Sequence, residues 1–392
     1  MAAAAAALSH GCRVARTLEW AAQGVGTMKT RVLHVVGGLN VGGTETWLAK
    51  GMPFVDRERY EFDFLVFGDE DQHYARMVER AGGGVIRCSS PQNPVRFAIS
   101  FLRVLRKAKC DAVHAHVYCA SGLVLMLAAL AGVKVRIFHS HTAQDEHRGF
   151  GCRSIYFRVA RALIRRFATR GIAVSAVAAA PIFPTNWEFV PEKWRVSPTG
   201  IELAPFSDAS VRESVRRELN IPETATVVLH VGRFAPVKNH ALLVKIAERA
   251  IRQRLEVVFV LVGDGPLRSQ LELEVCARGL GRAFRFAGVR DDVARLLRAA
   301  DVFVLPSLYE GFPLAYVEAQ AAGLPCVISD AITPAADLIP ERVVRLSVTD
   351  EPGIWAQVLL DSAAIPDSEL IAERFTEFSM EASMERMVEC YR

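Results

Sequence analysis

The chain has 392 residues, 51% of them hydrophobic and 23% charged, with a formal net charge of +4. This is the composition of a globular chain long enough for two domains, and the charge is far too small for an electrostatically driven nucleic-acid binder. Eight cysteines, at 12, 88, 110, 119, 152, 276, 326 and 390, form no CxxC pair. That argues against a disulfide framework or a zinc ribbon and fits a reducing, cytoplasmic setting.

The opening "MAAAAAALSHGC" imitates a signal peptide, but no basic region precedes its short apolar run. Met28 begins "MKTRVLHVV", a normal start followed at once by a strand, so residues 1–27 read as a mis-called start or a disordered tail. Buried strands are then expected at "RVLHVV", "FDFLVFG", "DAVHAH" and "VRIFHSH" in the first half. "TVVLHVGR", "EVVFVLVG", "FRFAGV", "ADVFVLP" and "LPCVIS" follow in the second. Amphipathic segments of helical length separate them, the βαβα order of parallel sheets covered by helices. The 13-residue apolar run Ser121–Val133 suits a buried helix and is too short for a membrane span.

The pattern restarts, since "VLHVVGG" at Val32 and "VLHVGR" at Val228 are both strands ending in glycine-bearing loops. Two doubly wound Rossmann-like domains facing each other across a cleft are therefore expected, joined near Thr199–Ser210. Ligands of such sheets sit beyond the carboxyl ends of the strands, which directs attention to the strand-to-helix turns.

In the first half, "GGLNVGGTE" (Gly37–Glu45) fits neither the dinucleotide nor the P-loop fingerprint. His114 and His116 end one strand and His139 and His141 another, with His147 beyond. Residues two apart on a strand share a face, so a metal site is conceivable. The reading preferred is one histidine reaching a sugar or phosphate, the others structural, and no metal. "DED" at Asp69–Asp71 is expected to be a solvated loop. Arg153–Arg170 carries six arginines and no acid, with Tyr156, Val159, Leu163 and Phe167 at helical spacing. Such a helix fits either an anionic membrane surface or a core-facing stripe with arginines in water.

In the second half, "GRFAPVKNH" sets Arg233 and Lys238 at the end of a strand, where two cations neutralise a diphosphate. "VGDGP" (Val262–Pro266) is another glycine turn. In "LYEGFPLAYVEA", Pro313 is expected at the first position of a helix. Gly311, Phe312 and Leu314 then lie at a helix mouth suited to phosphate. Glu310 and Glu318 flank that mouth. A carboxylate accepts from two adjacent hydroxyls, as on a ribose or a hexose, and the apolar flanks of Glu318 call for partial burial.

Glu310-x7-Glu318 opened by "EGFP" resembles the signature of the retaining glycosyltransferases of family 4, which have the GT-B fold. "GRFAPVKN" is similar to that family's diphosphate clamp. "GGTE" at Gly42, "DAVHAH", "VGDGP", "FAGVRDDV" and "ADVFVLPSLYEGFP" fall in its order. The match runs from about Met28 to the C-terminus, and "HSHTA" and "ISDAITPAADLI" resemble the exopolysaccharide and capsule branch.

The resemblance implies an acceptor domain over 28–203 and a nucleotide-sugar-binding domain over 204–375. It also implies a last helix, 376–392, returning to the first domain. Glu318 would bind ribose, Glu310 the donor sugar, and Arg233 and Lys238 the diphosphate. Gly311, Phe312 and Leu314 would meet donor hydroxyls or phosphate. Gly43 would approach the diphosphate, and Gly263 belongs to the donor site. His116 would lie near the transferred sugar and Val289 near the base. Glu310, His116, Arg233 and Lys238 are the expected catalytic set.

The expected activity is metal-independent transfer of a hexosyl group, with retention. A nucleotide-diphosphate sugar is the co-substrate, and a glycan or lipid-linked acceptor receives the sugar in surface polysaccharide biosynthesis. The setting is cytoplasmic, with the basic helix offering contact at the inner membrane face. A nucleotide-sugar 2-epimerase and a non-catalytic nucleotide-sugar-binding subunit are the alternatives. Thr199-Gly200-Ile201-Glu202 departs from the family's Asn-Gly-Ile-Asp, and a glycine pair is missing after Asp330. Both departures leave the donor open.

Overall fold

A computed structural model describes residues 29–68, 72–142, 152–207, 209–253, 256–362 and 373–392. Residues 1–27, the acidic stretch Asp69–Asp71 and His147 lie outside them. The chain divides into two compact units at Pro198/Thr199 and again at Ala382/Ser383, so its last ten residues belong to the first unit. These divisions differ by a few residues from the expected 203/204 and 375/376.

The first unit holds a seven-stranded sheet. Its strands are β1 (Thr30–Val35), β2 (Tyr60–Phe67), β3 (Gly84–Cys88), β4 (Ala112–Ala115), β5 (Val135–Ser140), β6 (Arg170–Ala173) and β7 (Trp194–Val196). They lie in the order β3-β2-β1-β4-β5-β6-β7, all parallel. The second unit holds β8 (Thr226–Val231), β9 (Val257–Val262), β10 (Phe284–Gly288), β11 (Val302–Leu305), β12 (Cys326–Ser329) and β13 (Val343–Leu346). Their order is β10-β9-β8-β11-β12-β13, again all parallel. Both are doubly wound sheets, and all nine strands expected from the sequence are among them.

The centre of each sheet is apolar on both faces, as parallel strands covered by helices require. Every residue of β9, β11 and β12 is buried. The run beginning at Ser121 forms a buried helix, Ser121–Leu130. A Cβ on Gly122 would fall 2.8 Å from the Ala160 carbonyl oxygen, so glycine is what lets the helix Cys152–Phe167 pack this closely. That second helix turns Phe157, Ala160 and Ile164 inward and leaves Ile155, Tyr156 and Val159 exposed. The sequence grouped Tyr156, Val159, Leu163 and Phe167 as the stripe. The buried stripe is rotated from it because helix contacts select positions i, i+3 and i+7 beginning at Phe157.

The order of strands reverses between β1 and β4 in one unit and between β8 and β11 in the other. Ligand crevices of doubly wound sheets open at such reversals, beyond the carboxyl ends of the strands.

Candidate active site

In the C-terminal unit the reversal brings together the loops that follow β8 and β11. The amide of Leu308 donates to the Val237 carbonyl at 2.8 Å, tying one loop to the other. Across this seam Lys238 Nζ donates to Glu310 Oε1 at 2.6 Å, with side chains only 16% and 14% exposed. Arg233 occupies the same loop as Lys238 and is exposed, with no ion-pair partner among the described residues.

Glycines let the neighbouring turns close up. Gly263 has φ +130°, and a Cβ there would lie 2.1 Å from the Gly232 carbonyl oxygen. Its amide donates to Gly288 at 2.7 Å, and Gly232 donates to Val262 at 2.9 Å. The turns after β10, β9, β8 and β11 are thus linked in sheet order. Val289, just past Gly288, is exposed at their outer end.

The helix Leu314–Ala321 starts one residue later than expected. Pro313 is its N-cap, in extended conformation, and not the first helical residue. The Pro313 carbonyl already accepts from Tyr316 and Val317. Without an amide of its own, proline is tolerated there as readily as one position on. The first amides, of Leu314 and Ala315, have no earlier turn to bond to and carry the positive end of the helix dipole.

The helix is anchored by its inner face. The Tyr316 hydroxyl donates to Asp337 at 2.9 Å, and Gln320 accepts from Leu338 and Ile339 while donating to Ala336. Glu318 is two residues from each, hence on the other face, and is half-buried as its flanks suggested. Phe312 is buried and stacks on Phe378, 6.1 Å between centroids. Gly311 is buried beside it.

The N-terminal unit gathers imidazoles at its own reversal. His34 on β1 is in register with His114 on β4, and His116, His139 and His141 follow at the ends of β4 and β5. A chain of contacts links them. His141 Nε2 lies 2.9 Å from His116 Nδ1, and His116 Nε2 lies 3.1 Å from His34 Nδ1. His34 Nε2 is 3.4 Å from the Tyr391 hydroxyl, which is 2.7 Å from His114 Nδ1. His114 Nε2 is 3.2 Å from His139 Nδ1.

Burial pushes His34 and His141 down to about 3. Burial, then repulsion by the other imidazoles, holds His114, His116 and His139 well below the ordinary range. All five are neutral at pH 7. One nitrogen each of His116, His139 and His141 lie within 4.8 Å of one another, as do those of His34, His114 and His116. Gly43, itself exposed, is the first residue of the helix Gly43–Gly51.

The sequence saw two histidine pairs and missed His34, Tyr391 and the Trp47 ring, which packs on His139 with centroids 5.5 Å apart. The signal for His34 was available. "VLHVV" and "DAVHAH" both carry histidine near the end of a central strand.

Comparison with known proteins agrees with this fold. Residues 42–200 match the glycosyl transferase 4-like domain, and residues 211–355 match the glycosyl transferases group 1 domain. EpsF of Bacillus subtilis (strain 168), which carries a glycosyltransferase's name, is 35% identical over 362 residues, 90% of this chain and 93% of that protein. An Escherichia coli UDP-Gal:alpha-D-GlcNAc-diphosphoundecaprenol alpha-1,3-galactosyltransferase is 32% identical over 236 residues, 59% of this chain and 61% of that one. In fold, the chain is similar to Anabaena Alr3699/HepE solved with UDP and glucose. The TM-score is 0.75 at 21% identity, covering 92% of this chain and 98% of that one. Two doubly wound domains of the GT-B class and a full-length relative at this identity lead to one conclusion: the chain belongs to the family 4 glycosyltransferases.

Proposed function

We propose that the donor is a uridine diphosphate sugar and that its diphosphate is held at the β8/β11 reversal by Lys238, Arg233 and the first amides of the helix Leu314–Ala321. The observation that carries this reading is the Lys238–Glu310 pair, a largely buried cation and carboxylate beside a helix mouth at a strand-order reversal. In the transfer, the bond between the anomeric carbon and the diphosphate oxygen breaks while the acceptor hydroxyl oxygen bonds to that carbon. The hydroxyl proton passes to the departing diphosphate or to water. Negative charge grows on the leaving group, where the cations and amides are aimed.

Glu310 accepts from donor-sugar hydroxyls and Glu318 from the ribose. Gly263 keeps the floor of the site clear, Gly311 and Phe312 shape its wall, and Val289 borders the base. The expected contacts of Gly43 with the diphosphate and His116 with the sugar rest on the family resemblance. No metal is needed at the diphosphate, since cations and a helix terminus supply the charge. Retention of configuration also rests on the resemblance. The relatives support a lipid-linked or glycan acceptor in polysaccharide assembly. The E. coli relative's name contains a diphosphoundecaprenol acceptor.

Contact with an anionic membrane is proposed for the exposed face of the helix Cys152–Phe167, where Ile155, Tyr156 and Val159 stand beside exposed Arg158 and Arg166. No described helix is long and apolar enough to cross a membrane. Replacing Arg158 and Arg166 by glutamate should release the protein from phosphatidylglycerol vesicles, and unchanged binding removes this part.

The test of the donor is a thermal-shift panel of UDP-, GDP- and ADP-sugars. UDP-sugars should raise the melting temperature by mass action and the others should not. A panel in which no UDP-sugar stabilises the protein overturns the reading. Proton NMR of the product reports the anomeric configuration.

A further inference from the structure

We infer that His116, His139 and His141 form a binding site for a divalent transition-metal ion, zinc(II) being the ion the ligand set favours. The inference stands on the N-terminal unit alone and is independent of the donor reading. Three observations carry it.

The first is spacing. Tetrahedral zinc with Zn–N bonds near 2.05 Å separates its ligand nitrogens by about 3.3 Å. His116 Nδ1 and His141 Nε2 stand 2.9 Å apart, and one nitrogen each of His116, His139 and His141 lies within 4.8 Å of the others.

The second is an orphan. His139 Nε2 is buried and has no hydrogen-bond partner. Its ring is 2% exposed and its Nδ1 is engaged by His114, so Nε2 is the atom left to offer a lone pair. A polar atom so placed is costly unless something meets it.

The third is the outer shell. Imidazoles that bind metal generally give their other N–H to a partner that fixes the tautomer. His116 Nε2 faces His34 Nδ1 at 3.1 Å and His139 Nδ1 faces His114 Nε2 at 3.2 Å. His34 and His114 in turn both reach the Tyr391 hydroxyl. With the ion in place, N–H groups run from His116 and from His139 along two arms that meet at Tyr391. Without it, His139 Nε2 stays unsatisfied. Imidazole ligands without a carboxylate select zinc, copper or nickel over magnesium or calcium. Three protein ligands leave a fourth position open, as in zinc sites that hold water.

The full chain is stripped with chelator, then titrated with zinc(II) alone by calorimetry and analysed for metal after gel filtration. One zinc per chain is expected, and cobalt(II) in its place should give the visible bands of a tetrahedral site. His141→Asn, at one of the two half-buried members of the set, should abolish stoichiometric binding. His114→Phe, which keeps all three ligands but removes an outer partner, should weaken it about 10- to 100-fold. Melting curves establish that each variant is folded. If His114→Phe does not fold, His141→Asn decides alone. Absence of stoichiometric zinc in the parent chain, or binding that His141→Asn leaves unchanged, overturns the inference.

Discussion

Lys238→Ala separates the fold's use of the Lys238–Glu310 pair from the ligand's. The ammonium and carboxylate lie 2.6 Å apart with most of each side chain out of water, so the substitution strands Glu310 without its cation. Removing one partner of a fully buried pair costs about 3–5 kcal/mol. Partial exposure here reduces that to about 2–3 kcal/mol. In a unit of this size each kcal/mol moves the melting temperature by about 2–4 °C, so a fall of roughly 4–12 °C is expected.

The ligand's loss is separate. A hydrogen bond from an ammonium to a phosphate contributes about 1.5–3 kcal/mol, so the Kd for UDP should rise about 10- to 150-fold. The double variant Lys238→Ala/Glu310→Gln tells the two apart. Neutralising Glu310 removes the stranded charge and should restore at least half of the lost melting temperature, while UDP affinity stays weak. Scanning calorimetry gives the first quantity and titration calorimetry the second. Should Lys238→Ala bind UDP within twofold of the parent while melting lower as expected, the pair is structural and the diphosphate reading falls.

Gly263→Ala puts a methyl against the Gly232 carbonyl at a backbone angle alanine resists, so it should cost at least about 2–3 kcal/mol in denaturant unfolding. Glu318→Gln should weaken UDP about tenfold yet leave inorganic pyrophosphate unchanged, because only UDP presents a ribose; competition titrations distinguish them. His240 is pushed down to about 4, mainly by burial and then by Lys238. The unfolded chain takes up this proton below about pH 6.5 and the native one only near 4. Stability is therefore full above 6.5 and falls by about 1.4 kcal/mol per pH unit between 6.5 and 4 on its account. His240→Phe should flatten the curve of unfolding free energy against pH in that window.

The central strands were legible because parallel strands buried on both faces read as unbroken apolar runs, as in "VVFVLV" of β9. β3, β7 and β13 were not. They are edge strands of three to five residues, and their partly exposed patterns resemble loops. β6 was hidden because only four residues, Arg170–Ala173, follow directly on a long basic helix. In the site, Lys238, Glu310 and the helix mouth were readable because loop glycines and a proline punctuate the strand ends. The pairing of Lys238 with Glu310, 72 positions apart, was not, since it depends on which strands become neighbours. The same holds for the imidazole chain, which needs Tyr391 brought 357 positions back to His34.

That last residue pair bears on how the protein is made. The first unit's core lacks Met384, Met387 and Tyr391 until their own codons are read, although nearly 200 other residues of the unit left the ribosome long before. The earlier-synthesised half must wait, incompletely packed, while the C-terminal unit emerges and folds. A nonsense change just before Met384 would therefore damage the oldest part of the nascent chain rather than the newest.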